Sequence, residues 1–293
     1  MSEHESGGLP PTLGGQAVIE GVMIRGPRGM AVCVRTPESE LACRTERNEG
    51  AGWLRQVPVL RGLAALGETL SQGMRAMIWS AQVATGEEAS EPSESQVRST
   101  MAASLGFASA LFLMVPAIAG RRLERAPVPR RLSPVLEGLM RMGMLVGYLR
   151  AIGRLPQAQR LFAYHGAEHR AIQAYEAGEP LEVASLHHFP NAHVRCGTSF
   201  LFTSMLLSSV VYAAVGPRGL GGRLLSRVAL TPLIAGLSYE AIRLGGAAQG
   251  GPLRWLFRPN LAMQALTTRD PDEAQMEVAL AALRAALALH EPS

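Results

Sequence analysis

Apolar positions along the chain change their spacing several times, and each change predicts an element. Residues 14–26 read GGQAVIEGVMIRG, where Val18, Ile19, Val22, Met23 and Ile24 have strand character and Gly21 interrupts it. Residues 31–36 (AVCVRT) and 40–47 (ELACRTER) read as two strands joined by a turn at Pro37, Glu38 and Ser39, a β-hairpin. From Val59 to about Val83 the spacing turns helical, through Leu60, Leu63, Leu66, Leu70, Met74 and Met77. Residues 86–98, rich in Glu and Ser, read as an acidic solvated linker.

Two runs then carry no charge for 22 residues each, Ser99 to Gly120 and Cys196 to Pro217. As helices they are long enough to cross ~30 Å of hydrocarbon. Leu132 to Gly153 and Val228 to Leu244 are apolar but hold Glu137, Arg141 and Arg150 in the first and Glu240 and Arg243 in the second. Such charges enter a membrane only when they face protein or water, and Glu137 with Arg141, spaced i,i+4, can pair. A further helix is predicted from Pro156 to Glu176, stopped at Gly178. The last helix is predicted with Asp270 as its cap, Pro271 and Glu273 in its first turn, and a stripe of Met276, Leu280, Leu283 and Leu287.

The fold class expected is therefore mainly α. It is a polytopic membrane helical bundle of four spans, with a small N-terminal region containing the β-hairpin. The organisation expected is an N-terminal strand and helix region (1–85), the acidic linker (86–98), a bundle (99–245) with an inserted helix (156–177) and loop (178–195), and a C-terminal segment (246–293) with its amphipathic helix.

Composition agrees. Of the 293 residues, 47% are apolar and 18% charged, which excludes a disordered chain or a coiled coil. All basic residues are Arg, so Schiff-base and Walker lysines are excluded. The net charge of +4 sits beside apolar segments, as membrane flanks do, so the bilayer and not nucleic acid is the expected partner. Protein partners leave no trace in the sequence. Three cysteines, Cys33, Cys43 and Cys196, cannot all pair, which suits a reducing compartment or a ligand role. The polar start shows no signal-peptide core.

Five of the seven histidines fall between residues 165 and 193. His165-Gly166-Ala167-Glu168-His169 is an H-x-x-E-H motif. On a helix its two histidines project from one face and can share a metal ion, with Glu168 at the edge of that face as a base toward water. His193 and Cys196 add an imidazole and a thiol, and Cys196 stands where an apolar helix begins, a place that favours thiolate. Glu240 is a carboxylate at membrane depth, and Glu20 lies among glycines in the first strand; both are possible site residues. A divalent ion is the expected cofactor, zinc by its taste for imidazole and thiol. No other cofactor motif is present.

Residues 14–27 (GGQAVIEGVMIRGP), 164–172 (YHGAEHRAI), 193–200 (HVRCGTSF) and 265–283 (ALTTRDPDEAQMEVALAAL) together resemble the YqhQ-like bacterial membrane proteins. That family is catalogued as a domain of unknown function and labelled a predicted metal-dependent enzyme. The resemblance spans almost the whole chain. It implies an inner-membrane protein with a metal site and supplies no substrate. Val194 stands where the family usually has Pro.

Two functions compete. One is a membrane-embedded metal-dependent hydrolase, with His165, His169, His193 and Cys196 as the ligand pool and Glu168 as base. The other is a non-enzymatic membrane scaffold or assembly factor held by a structural metal. Four spans place residues 1–98, 154–195 and the C-terminus on one side. The unpaired thiols favour the cytoplasm for that side, and the arginine-rich loops at 121–131 and 218–227 argue the other way.

Overall fold

The computed structural model describes residues 13–48, 57–86, 91–123, 133–193, 195–216, 219–247 and 253–290. The expected N-terminal tail, Val194 and most of the arginine-rich connection at 121–131 lie outside them.

Four strands form an antiparallel meander in the order β1 (Gly14–Val18), β2 (Gly21–Arg25), β3 (Gly29–Arg35) and β4 (Leu41–Arg47). Residues 14–26 are thus two strands and not one interrupted strand. Val18 pairs with Gly21 across the two-residue turn Ile19-Glu20, in which Glu20 takes a left-handed φ of 53°. That conformation is unfavourable for a non-glycine residue. It is held because the Glu20 carboxylate binds Arg160 and, at 3.3 Å, the Tyr164 hydroxyl, while its carbonyl accepts from Arg35 N–H at 2.8 Å.

The hairpin of β3 and β4 brings Cys33 opposite Cys43, Cα to Cα 4.2 Å, and the two are joined as a disulfide. The short separation is that of a non-hydrogen-bonded cross-strand pair. The expectation of unpaired thiols therefore holds for Cys196 alone, a buried free cysteine.

The sheet is covered on both faces. Val18, Met23, Val32 and Val34 pack against Ala76, Trp79 and Val83 of α1 (Leu60–Thr85). Ala17, Val22, Ile24 and Ala31 pack with α5 (Pro156–Glu176) and α10 (Glu273–Ala288). Burial of both faces accounts for the near-continuous apolar reading of β2 and β3. In α10 the predicted stripe is joined by buried Val278, Ala279, Ala282 and Ala286, because the helix fills a core position between the sheet and α5. Its cap is Asp272, which accepts from Gln275 N–H at 2.8 Å, not Asp270. Asp270 is instead engaged by Arg170 and Asn191.

The acidic stretch is a linker only in part. Ser93 and Gln96 form a capping box, and helix α2 (Glu94–Ser109) starts inside it. It continues through a π-helical turn (Ala110–Met114) into α3 (Val115–Leu123). Pro116 has no N–H to give and its ring presses on the carbonyl of the preceding turn, which the wider π turn accommodates. Helices α4 (Ser133–Ile152), α7 (Gly197–Val215) and α8 (Leu220–Ala247) pack in sequence on it. A short α6 (Val183–Leu186) and an unforeseen α9 (Leu253–Gln264) complete the fold.

Two helices are long and apolar enough to cross a membrane, Glu94–Gly120 and Gly197–Val215. They leave Leu105, Phe107, Leu206 and Val210 exposed. Between α4 and α8 lies a buried ionic cluster. The predicted Glu137–Arg141 pair is formed at 3.1 Å, and Arg223 and Arg227 join the same carboxylate at 3.0 and 2.6 Å.

Candidate metal centre

The site is built on α5, whose start is set by Pro156 in its first turn and whose end is set by Gly178 in the left-handed conformation. Its helical spacing puts His165 and His169 on one face, their ring centroids 4.3 Å apart. Cys196, the cap of α7, meets them. Its Sγ lies 3.3 Å from His165 Nε2, and one ligand atom from each of the three residues lies within 4.8 Å of the others. A tetrahedral zinc with bonds of ~2.0–2.3 Å holds its ligand atoms about 3.3–3.7 Å apart. The cluster is therefore within about an ångström of that geometry.

Both imidazoles are held by their other nitrogen. His165 Nδ1 meets the Thr267 carbonyl at 2.8 Å and His169 Nδ1 meets the Asn191 carbonyl at 2.5 Å. A carbonyl oxygen only accepts, so each Nδ1 carries the proton and each Nε2 keeps its lone pair for the cluster. This is the support that metal-bound histidines ordinarily have. Burial, reinforced by the neighbouring His165, keeps His169 well below the usual imidazole range and so neutral.

Close approach of the supporting loop depends on the glycine of the motif. A Cβ at Gly166 would stand 2.2 Å from the Arg269 carbonyl. Without that side chain the loop after α9 can lie on α5 and offer Thr267 to His165.

Glu168 is 3% exposed, and its Oε2 lies 3.5 Å from His169 Nε2. Desolvation pushes this carboxyl up to about 7, with His165 pulling the other way. A carboxyl poised near neutrality beside the ligand atoms suits proton transfer to and from water. On its other side Glu168 touches the sheet, for a Cβ at Gly15 would come 2.4 Å from its Oε1. Gly15, one of the glycines around Glu20, thus admits the carboxylate at close range.

The thiol differs from expectation. Cys196 does cap α7 and accepts from Thr198 N–H at 3.4 Å, but burial outweighs the helix terminus and pushes the thiol up to about 11. Thiolate at this position needs a cation to stabilise it.

The other expected residues stand apart. His193 is near, its ring 5.7 Å from that of His169, but its Nε2 faces Glu176 at 3.3 Å. Burial lowers it to about 4. Its main chain is clamped by Gln264, which accepts from His193 N–H at 2.8 Å and donates to its carbonyl at 2.7 Å. Glu240 binds Arg61 at 2.7 and 2.5 Å and ties α8 to α1. Glu20 belongs to the β-turn contact with Arg160 and Tyr164. His187 and His188 are exposed at the end of α6. The residues the sequence did not reveal are Thr267, Asn191 and Gln264. The first two act through main-chain carbonyls, which no side-chain pattern records, although Thr267 falls within the 265–283 motif.

Comparison with known proteins gives a family and no activity. The family described as "Protein of unknown function (DUF1385)" matches residues 57–289. The "Uncharacterized protein YqhQ" of Bacillus subtilis (strain 168) is 29% identical over 297 residues, covering 96% of this chain and 92% of that protein. No solved structure matches the chain.

Proposed function

The chain belongs to the DUF1385 family, and for it we propose a zinc-dependent hydrolase anchored in the membrane by its apolar helices. One observation carries this reading. Two imidazoles fixed by main-chain carbonyls and one buried thiol converge within 4.8 Å, with a buried carboxyl beside them. Three protein ligands leave a fourth position, the arrangement of catalytic and not structural zinc. His165, His169 and Cys196 would hold the ion, which when bound polarises a carbonyl and acidifies water. Glu168 accepts the proton of the attacking water and returns it to the leaving group. The hydrophobic surroundings of α5 exclude other water.

The α2–α3 and α7 helices supply two spans, and α4 and α8 supply two more. The latter are admitted to the bilayer because Glu137 and its arginines satisfy one another inside the protein.

Metal analysis of the detergent-purified protein tests the site. Wild type should hold one zinc per chain, and His165→Ala, His169→Ala and Cys196→Ser should hold little. A wild type that stays empty after zinc addition refutes the reading, as does a His169→Ala variant that keeps its ion. The side of the membrane follows from a second measurement, since the Cys33–Cys43 pairing removes the argument from free thiols. Acid quenching of intact cells followed by alkylation in denaturant labels both cysteines if the sheet lies in the reducing cytoplasm, and neither if it lies outside.

A further inference from the structure

The depth of the metal cluster is set by the helix that Cys196 caps. With α7 crossing the bilayer, its 19 residues span ~28 Å, so the hydrocarbon, ~30 Å thick, takes the whole helix with nothing to spare. Arg195 and Arg218 bracket the uncharged run from 196 to 217, and charges at both ends keep a span from sliding. Cys196 therefore lies at the boundary between hydrocarbon and headgroups. An ion held by Cys196, His165 and His169 would lie there too. The acyl esters of glycerolipids occupy that same boundary.

Glu168, His169 and Cys196 are buried, whereas His165 is only half-buried, so the cluster is approached on the His165 side. Leu155, Ala158 and Leu161 lead to His165 along one face of α5 at three- and four-residue spacing. Leu155 is 54% exposed, and Ala158 and Leu161 are half-buried. This apolar strip begins three residues after α4 ends at Ile152, where the chain leaves the bilayer. Beside it stand Arg150, in the last turn of α4, and Arg154. Both are exposed, and neither pairs with a carboxylate among the described residues.

We propose that the substrate is an anionic glycerolipid that enters from the bilayer over Leu155 and Leu161, so that the bond hydrolysed is one of its acyl esters. This rests on the reading above of a zinc hydrolase with α4 and α7 as spans. The strip receives the acyl chain, and Arg150 and Arg154 attract the charged headgroup. The ester carbonyl meets the cluster at its own depth in the membrane. In the reaction a C–O bond forms from water to the acyl carbon and the ester C–O bond breaks. The proton that water loses passes through Glu168 to the departing alcohol oxygen.

Full-length, zinc-loaded protein in vesicles of phosphatidylglycerol or phosphatidylcholine tests this through fatty-acid release. Release should be faster from phosphatidylglycerol and should stop in Glu168→Gln. Monomeric dihexanoylphosphatidylglycerol, with the same ester and headgroup but dissolved in water, should be the poorer substrate. Arg150→Gln and Arg154→Gln should each lower the preference for phosphatidylglycerol about fivefold. Binding is read without turnover by photo-crosslinking Glu168→Gln to a phosphatidylglycerol that carries a diazirine on the acyl chain beside the ester. Label should fall on residues 155–165. Label confined to the spanning helices, faster release from the dissolved lipid, or a preference unchanged in both arginine variants overturns the proposal. Zinc content is measured on the same samples. Zinc held without label on α5 refutes lipid entry alone, and zinc with label but no fatty-acid release refutes ester hydrolysis. Absence of zinc refutes the metal reading and this proposal with it.

Discussion

Replacing Glu168 with Gln should make the metal-free protein more stable at alkaline pH. The carboxyl is 3% exposed, and burial raises it from an ordinary 4.5 to about 7. As pH rises past 4.5 the unfolded chain loses this proton first, while the folded protein keeps it until about 7. The unfolded state is therefore favoured progressively across that window, and the loss is complete above it. At 1.36 kcal/mol per unit the full effect is about 3 kcal/mol. The Gln side chain cannot titrate and removes the slope. Its amide, poorly partnered in this pocket, returns about a third of the gain, which leaves about 2 kcal/mol. For a chain of this length that is on the order of 5 °C in Tm. The assay is thermal unfolding in detergent with chelator at pH 4, 6 and 8, read as the difference between wild type and Glu168→Gln. Buried His169 and His193 oppose Glu168 in the same pH range but act alike in both proteins, so the difference isolates the carboxyl. The variant should lie about 1 kcal/mol below wild type at pH 4, where only its amide counts, and about 2 kcal/mol above it by pH 8. A variant less stable at pH 8, or a gap independent of pH, refutes the reasoning. Zinc should shrink the gap, because the ion's charge favours the ionised carboxylate.

Three further outcomes are expected. His193→Ala and Glu168→Gln should both retain zinc by elemental analysis, since neither residue is among the three converging ligands; loss in either case would enlarge the ligand set. Glu137→Gln should destabilise the folded protein by about 3–5 kcal/mol in thermal unfolding, because it strips the shared partner from Arg141, Arg223 and Arg227, and an unchanged Tm would show the cluster is not a unit. Extraction from membranes should need detergent and fail with carbonate, given the two exposed apolar helices; recovery in a carbonate supernatant would contradict the membrane reading.

Elements with a strong period were legible in the sequence. Both uncharged runs, the α5 helix with its Gly178 stop and the facing Cys33 and Cys43 strands all stand where spacing put them. Short-range punctuation misled in two places. The turn at Ile19-Glu20 has no glycine at its left-handed position, because a tertiary contact to Arg160 holds it there. The C-terminal cap fell on Asp272 because Asp270, an equally good cap by type, is drawn away by Arg170. The H-x-x-E-H spacing announced His165, His169 and Glu168, and the thiol at a helix start announced Cys196. Long-range partners were not legible: nothing local to residues 223 and 227 says that they close on Glu137, 86 and 90 residues earlier.

The place of His193 bears on the proposal that an ion at this site is catalytic and not structural. A site meant only to staple α5 to α7 would gain from a fourth protein ligand, and His193 stands with its ring 5.7 Å from His169. It is not used. Gln264 bonds both main-chain groups of His193, and Glu176 takes its Nε2. These contacts direct the Nε2 of a suitable, buried ligand to Glu176. On the side of His169 where a ligand could close the shell stands Glu168 instead, buried and raised to about 7. A carboxyl held there costs the fold stability at neutral pH, as worked out above, and a purely structural site gives no return for that cost. Strain of this kind concentrates where chemistry is done.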